Sequence, residues 1–301
     1  MPVNRAGSSR SSVVQEYVPL SDVRDSRLDA IVGSPAPTRL AVSKKTFEAM
    51  GIASRVVKKT GYETFPDGPA NQEAAIWMSG GRSWARMKLA RDMIEGGHCP
   101  DIAAEIKTIK EMGGGSCSEH RRLSAAELSQ MHRSMPVIQV KESDEDHHYV
   151  VVGDWRDRTV GNHAVVVDPW HMVKKVYTYG ERRNSTQPIP LFVTPPGPPV
   201  PDSAMSDALS ASPASESKMD RFTKMRVKRP AGPQAAEAII NALRGQEPQT
   251  VWDDAAGTRN VHTEYVDPDG NVSAFNGVPP DYLDRYLDAK EQMSYALPIR
   301  G

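Results

Sequence analysis

The chain has 301 residues, which is enough for one large domain or two small ones, each with a buried core. Hydrophobic residues make up 39% of it and aromatic residues 6%, so we expect a modest core and much exposed chain. The formal net charge of −1 lacks the strong basic excess of nucleic-acid-binding proteins, and we expect no nucleic-acid partner.

The two cysteines, Cys99 and Cys117, are too few for a disulfide scaffold, and free thiols fit a reducing compartment. No apolar run reaches the ~18 residues that a membrane-spanning helix needs, so no membrane span is expected. Residues 1–22 lack the apolar stretch of a cleaved secretion signal. Residues 1–38 are rich in Ser and Arg and end near Ser-Pro-Ala-Pro, a composition that predicts disorder.

Helices are predicted in the first half of the core, from caps, stops and apolar periods. The clearest helix follows Pro100-Asp101 and carries an apolar residue every three or four positions until three glycines end it. A shorter helix is expected to end at Gly51, and residues 60–70, with several Gly and Pro, are expected to form a loop. The predicted helices span 46–50, 83–96, 102–112 and a stretch from Ser116 or Cys117 to Met131.

Beyond residue 135 the pattern changes to short β-branched runs that end at glycine or turn residues, which is typical of strands. Helices followed by an antiparallel meander indicate an α+β fold. The predicted strands span 136–140, 148–153, 165–167 and 173–177.

Proline and serine are frequent in residues 186–225, where we expect a linker or a long exposed loop. This division leaves a core at 39–185 and a C-terminal helical accessory segment at 226–301. Within that segment, helices are expected near 234–243 and 280–293.

Cys117 follows three glycines and a serine at the expected start of a helix. Glycines let the backbone approach a substrate closely, and free N–H groups at a helix start stabilise a thiolate and an oxyanion. Because cysteine is also common in protein interiors, a buried structural residue is the alternative. The position favours a nucleophile if a histidine accompanies it.

Two histidines, His147 and His148, precede the valine-rich strand. Side chains alternate along a strand, so a Tyr149 that faces the core places His147 on the same face and His148 on the other. His147 is therefore the first candidate for the partner of the thiol, and His148 is the second if the register shifts by one. The alternative is a solvated turn after the acidic residues 144–146.

Asp168 ends the next valine run, where a carboxylate is placed to orient a histidine and stabilise its charged form. The alternative is a turn aspartate before Pro169. His163 is the third histidine candidate, because its odd spacing from Asp168 on one strand would place the two side chains on opposite faces.

The three motifs together are Gly-x-Cys-x-Glu-His, His-x-Tyr-Val-Val-Val-Gly with one further His, and Val-Val-Asp-Pro-Trp, and they cover 117–170. They resemble the papain-like and transglutaminase-like thiol superfamily, in particular the AvrPphE/HopX/XopE effectors of plant pathogens. The resemblance implies a nucleophile helix packed on an antiparallel sheet, with Cys117 as nucleophile, His147 as general base and Asp168 as orienting residue. By analogy with papain-like enzymes, Asn71 or Gln72 would be the oxyanion side chain.

The same resemblance implies what the protein does and where. The core at 39–185 would be catalytic and would act on amide bonds of a host target protein through a thioester, as a protease, a glutamine deamidase or a transglutaminase. The protein would be secreted and would act in the host cytosol. Residues 1–38 would be a secretion region, with a possible secretion chaperone as partner. No cofactor is implied.

Two other classes compete with the enzyme. A non-enzymatic binding effector on a degenerate thiol-hydrolase fold would use the proline-rich segment 195–201 to dock a partner. A metal site is disfavoured because the soft ligands lack paired spacing, and no metal is expected. The residues considered for it are Cys117, His120, His147 and His148, with His98 and Cys99 elsewhere.

Overall fold

The computed structural model describes residues 16–33, 38–182, 186–246 and 261–297, and the structural statements below refer to these ranges. The described chain is an α+β fold, which confirms the α+β part of the prediction. The helices are α1 (Ser26–Val32), α2 (Lys44–Lys58), α3 (Glu73–Met78), α4 (Arg82–Glu95), α5 (Ile102–Met112), α6 (Cys117–Ser129), α7 (Ser203–Leu209), α8 (Glu216–Val227), α9 (Pro233–Arg244) and α10 (Pro280–Ala296). The strands are β1 (Thr38–Ala41), β2 (Val137–Lys141), β3 (His148–Val152), β4 (Val165–Val167), β5 (Tyr177–Thr178), β6 (Ile189–Thr194), β7 (Thr263–Val266) and β8 (Val272–Ser273).

The larger sheet has five antiparallel strands in the order β5-β4-β3-β2-β6. Val150 and Val152 of β3 pack with Leu128 of α6 on one face, while Val151 packs with Trp155 on the other. Because both faces of β3 are covered, its sequence is a continuous apolar run rather than an alternating one. The smaller sheet pairs β1 with β7 in parallel and β7 with β8 antiparallel.

Helix α6 begins at Cys117 for reasons that are local. Gly113 ends α5 in the left-handed conformation, with φ of 66°, which glycine adopts without strain. Gly115 approaches the new helix so closely that a Cβ there would lie 2.4 Å from the Cβ of Glu119. Ser116 is the N-cap, and its backbone N–H donates to the Glu119 carboxylate at 2.8 Å. These contacts fix the position of Cys117 at the first turn.

Helix α2 is longer than predicted, because it continues through Gly51 to Lys58. A Cβ at Gly51 would meet only the ring of Phe275, at 3.7 Å, so the position has no need of a glycine conformation. Glycine inside a helix costs only about 1 kcal/mol. The buried face that Ala53, Val56 and Val57 form beyond it continues the helix.

The expectation of disorder over residues 1–38 is wrong for the part that the structure describes. Asp25 caps α1 by accepting from the N–H of Arg27, and Leu28 and Val32 on one face of that helix are buried. Val18 also pairs with Val278 in an antiparallel bridge. Residues 1–15 and 34–37 lie outside the described residues.

The linker expected at 186–225 is instead largely regular structure. Strand β6 pairs with β2 at the edge of the larger sheet, and α7 and α8 pack against α5 and α4. Pro190 fits in β6 because an edge strand needs no ladder hydrogen bond on its outer side, and the register shifts beside it. Proline content alone therefore did not distinguish an edge strand from a linker.

The C-terminal segment at 226–301 is part of the main structure rather than an accessory to it. Tyr282 and Tyr286 of α10 share one buried cluster with Leu20 near the N-terminus and Tyr62 after α2. Helices α9 and α10 match the expected positions, and strands β7 and β8 were not predicted. Of the strand expected at 173–177, only Tyr177 is in a strand, β5.

No helix in the described ranges has both the length and the apolar composition needed to cross a membrane.

Candidate active site

The structure brings Cys117, His147 and Asp168 to one place from three elements. Cys117 is the first residue of α6, His147 immediately precedes β3, and Asp168 immediately follows β4. His147 Nε2 lies 2.7 Å from Asp168 Oδ2. The Cys117 thiol donates to the backbone carbonyl of Asp146, at 3.6 Å, and contacts the histidine pair.

The sheet register explains why His147 meets Asp168. Val150 of β3 pairs with Val167 of β4, so one step further along the ladder Tyr149 lies opposite Asp168. His147 is two residues before Tyr149 and therefore projects from the same face as Asp168. From the sequence, the thiol was expected on the face of Tyr149 and His147, whereas α6 covers the opposite face of β3, from which His148 projects.

The site holds a charged pair away from water. Burial of the His147 ring opposes its charged form, but Asp168 and Cys117 together outweigh that effect and hold the pKa of His147 well above its usual range. Burial likewise opposes ionisation of Asp168, yet its contacts with His147 and His171 hold the pKa of this carboxyl well below the usual range. At neutral pH the pair is an imidazolium and a carboxylate.

His148 contacts the thiol more directly than expected. Its Nδ1 lies 3.7 Å from Cys117 Sγ, because His148 projects from the β3 face that α6 covers. Burial and the charge of Arg121 lower the pKa of His148 to about 4, so this ring is neutral at pH 7. The two histidines thus differ: His147 is charged and held by a carboxylate, and His148 is neutral.

His171 is a site residue that the sequence analysis missed. Its Nε2 lies 3.3 Å from Asp168 Oδ2, so the same oxygen that meets His147 also meets a second imidazole. The other carboxylate oxygen, Oδ1, accepts the backbone N–H of Trp170 at 3.2 Å. The spacing Asp-x-x-His was the available signal, since it returns a side chain to the aspartate across one tight turn.

Trp170 packs against the imidazole of His147, with 4.8 Å between ring centroids. The two residues expected to stabilise an oxyanion are engaged with this tryptophan. Asn71 Oδ1 accepts from the Trp170 indole at 2.8 Å, and Gln72 Nε2 donates to the Trp170 carbonyl at 2.7 Å. Their side chains therefore hold Trp170, whose ring covers His147.

The start of α6 is held by an ion pair between Arg91 and Glu119, in which the carboxylate is buried and the arginine is partly exposed. Arg91 of α4 donates to both Glu119 oxygens, at 2.8 and 3.0 Å, and to the hydroxyl of Ser116 at 2.7 Å. Burial opposes ionisation of Glu119, but the Arg91 guanidinium outweighs it and lowers the pKa of that carboxyl. Ser116, the residue before Cys117, is thereby held by Arg91 at its hydroxyl and by Glu119 at its backbone N–H.

Two further buried titratable groups, His120 and Lys174, contact residues next to the site. His120 is fully buried, with its Nδ1–H donating to the Ser116 carbonyl at 2.8 Å, and burial lowers its pKa to about 4. Lys174 is also buried, and its ammonium donates to the His171 carbonyl at 2.7 Å. Burial lowers the pKa of Lys174 to about 7. Coulombic interactions are strong in such a low-dielectric environment.

The remaining candidates fall outside this cluster. His163 lies in a short 3₁₀ turn before β4 rather than on a strand, and its Nδ1 has no hydrogen-bond partner among the described residues. Cys99 bonds the hydroxyl of Thr108, at 3.3 Å between Sγ and Oγ1. In the described ranges, no three His, Cys, Asp or Glu side chains are grouped so that they could hold a metal ion.

Comparison with known proteins gives no relative: no protein-family model matches the chain, and neither do curated proteins or solved structures.

Proposed function

We propose that the protein is a cysteine-nucleophile hydrolase or acyltransferase on a papain-like or transglutaminase-like core. The observation that carries the proposal is the pairing of a helix-start thiol with an imidazole that a buried carboxylate holds at 2.7 Å. This is the arrangement that thiol catalysis requires: a nucleophile, a base in contact with it and a group that orients the base.

In this mechanism Cys117 and His147 react as a thiolate–imidazolium pair, in which the proton that has left Sγ is held on Nδ1 of His147, the ring nitrogen that Asp168 does not occupy. The sulfur attacks an amide carbonyl carbon and forms a C–S bond, and the oxyanion is held by N–H groups at the start of α6. The C–N bond then breaks, and the leaving amine takes the proton from His147. Water or an amine next attacks the thioester carbonyl, the now neutral His147 takes the proton that this nucleophile loses, and the C–S bond breaks to restore the thiolate–imidazolium pair.

We assign His148 a supporting role. A neutral imidazole at 3.7 Å from the sulfur accepts or donates one hydrogen bond, but it has no carboxylate to stabilise its charged form. A general base must hold a proton during the reaction, and the position of Asp168 gives that capacity to His147.

The acceptor determines the reaction. Water acting on a peptide thioester completes proteolysis, water acting on a glutamine thioester completes deamidation, and a lysine or polyamine completes transglutamination. We further propose, on the resemblance alone, that the protein is a secreted bacterial effector whose target is a host protein in the host cytosol, with residues 1–38 as its secretion region.

A non-enzymatic binding effector is the second candidate. The observation in its favour is that edge strand β6 exposes three consecutive apolar side chains, Leu191, Phe192 and Val193. Exposed apolar surface of this kind is typical of contacts with other proteins.

Mass spectrometry of host-cell proteins separates these possibilities. Extracts are incubated with the wild type, with Cys117→Ala and with Cys99→Ala as the matched control. The enzyme proposal predicts a covalent change with the wild type and the Cys99 variant only: new peptide ends, a gain of about 1 Da at glutamine, or a cross-link. If the Cys117→Ala extract shows the same products, or none of the three extracts shows any, the binding role is the better account.

A further inference from the structure

Arg121 is a buried cation one helical turn from the nucleophile. It follows Cys117 by four positions on α6, so the two side chains start on the same face of the helix, with Cβ atoms ~6 Å apart. Its guanidinium bonds Gln139 Oε1 on β2, at 2.9 Å. Gln139 shares a sheet face with Lys141, which pairs in register with His148. Arg121 therefore lies on the side of the sheet where the thiol meets His148.

Among the residues that the structure describes, this guanidinium has no acidic partner. Arg121 is only 6% exposed, yet within the described part of the chain it forms no salt bridge, and its Nε has no hydrogen-bond partner. Its neighbours are all paired: Arg91 with Glu119, and Arg122 with Glu105 at 2.6 Å. Leaving a buried charge without a counter-ion costs several kcal/mol, so such groups are rare unless a ligand completes them.

Nearby carboxylates do not fill this role. Glu119 is committed to Arg91. Asp146 is paired with Lys141 at 3.3 Å, and its side chain is 85% exposed, so water and salt screen its charge. A charge that enters the site therefore interacts more strongly with the buried guanidinium of Arg121 than with the exposed carboxylate of Asp146, because Coulombic energy decreases as the effective dielectric constant rises.

We propose that Arg121 binds a carboxylate of the substrate, so that the enzyme acts on an amide flanked by an acidic residue. The inference rests on the proposed function, because it places the carboxylate beside the carbonyl that Cys117 attacks. Substrate binding then provides the counter-ion that the described part of the chain does not supply, with the planar guanidinium presenting its free N–H groups to the two oxygens.

Two alkylating reagents of similar size, which differ in whether they carry a negative charge, test this proposal on the full chain. Iodoacetate carries a carboxylate and iodoacetamide is neutral, and the rate of each at Cys117 is read by peptide mass mapping. The ratio of the two rates cancels the thiolate fraction, which both reagents share. We expect Arg121→Gln to lower the iodoacetate-to-iodoacetamide ratio about tenfold, with Arg121→Lys intermediate.

Arg122→Gln is the matched control, since it removes the same charge from the next position of α6, where the guanidinium is paired and 40% exposed. It should leave the ratio within about twofold of the wild type. Thermal melting accompanies each variant, and Arg121→Gln is expected to melt no lower than the control because an unpaired buried charge is removed.

A second arm asks where the carboxylate comes from. Blocked peptides are tested for slowing of iodoacetamide labelling: acetyl-Glu-Gln amide, acetyl-Gln-Gln amide and acetyl-Gln-Gln with a free C-terminus. The proposal expects protection of the wild type by the first peptide alone, and none in Arg121→Gln. Protection only by the free C-terminus, or equal protection by all three, contradicts an acidic side chain as the ligand.

The outcomes distinguish a failure of the inference about Arg121 from a failure of the proposed function. If both reagents slow equally in Arg121→Gln and the ratio is unchanged, the guanidinium only supports the thiolate, and the inference fails while the proposed function stands. If iodoacetamide labels Cys117 no faster than Cys99 in the wild type, the proposed function itself fails and the inference falls with it.

Discussion

His147 Nε2 and Asp168 Oδ2 lie 2.7 Å apart and join the start of one strand to the end of the next. Both residues flank a ladder of paired valines, so their separation is set by the sheet rather than by a loop. The imidazole is thereby held in one orientation before any substrate arrives. That preorganisation is what a catalytic base needs.

Replacing Asp168 by Asn should remove the charge that keeps His147 protonated. The pKa of His147 should fall, and activity on a peptide substrate should drop at least about a hundredfold. NMR titration of the histidine ring signals measures the first effect. His171→Gln is the control, because its longer contact of 3.3 Å leaves the His147 pair intact. An unchanged His147 titration in Asp168→Asn would contradict the assignment.

The two histidines should differ when each is replaced. His147→Ala should lower the rate of Cys117 alkylation at neutral pH by about a hundredfold or more, since it removes the imidazolium whose charge favours the thiolate. His148→Ala should lower it by less than about tenfold, because only one long hydrogen bond at 3.7 Å is lost. The reverse order of effects would make His148 the base.

Stability should fall in mild acid because of a buried neutral histidine. The pKa of His120 is about 4 in the folded protein and near its usual value when unfolded. Above pH ~6.5 neither state binds the proton, and between pH ~6.5 and ~4 only the unfolded state does, so stability falls by ~1.4 kcal/mol per pH unit from this group. Urea unfolding at several pH values measures the slope.

His120→Phe is the variant that isolates this contribution. Phenylalanine preserves the ring contact with Phe65, where the centroids are 4.2 Å apart, and cannot titrate. The acid slope should become shallower by about 1.4 kcal/mol per pH unit in that window. A slope equal to that of the wild type would place the proton uptake elsewhere.

The ion pair between Arg91 and Glu119 at the start of α6 should contribute to the stability of the fold. Glu119→Gln removes a carboxylate that is only 8% exposed from its pair with Arg91, whose side chain is 33% exposed, and we expect a loss of ~2 kcal/mol in the free energy of unfolding. Glu105→Gln removes the partner of Arg122, in a pair whose side chains are 28% and 40% exposed, and should cost less than ~1 kcal/mol. Equal losses would show that burial of Glu119 adds nothing.

The site residues could be predicted where a short sequence pattern determines the direction of a side chain or the start of a helix. Strand alternation placed His147 on the face of Tyr149, and the glycine turn before Cys117 predicted a helix start. That Asp168 lies on the same face follows from the register of β3 and β4, which only the structure gives. His171 escaped because its contact depends on the tight turn after β4, and Arg121 escaped because only burial distinguishes it from other surface-type residues. The spacing Asp-x-x-His was a signal for His171, whereas no spacing of residue types indicates the burial of Arg121.

The sequence was sufficient to predict the α+β class, but it did not predict the edge strand β6, the pairing of β1 with β7 or the full length of α2. Strand β6 contains Pro190 and follows a proline- and serine-rich composition, so only its pairing with β2 identifies it. Strand β1 pairs with β7 across more than 200 residues of chain, a contact that no local pattern encodes. Helix α2 passed through Gly51 because tertiary packing outweighs one unfavourable residue.

The most direct test of the account is the rate at which iodoacetamide modifies Cys117 and Cys99 in the same molecule between pH 6 and pH 8. The account predicts that Cys117 reacts at least about tenfold faster at pH 6, and that His147→Ala abolishes this advantage while leaving Cys99 unchanged. Equal rates for the two thiols, or a Cys117 rate that does not respond to the loss of His147, would contradict it.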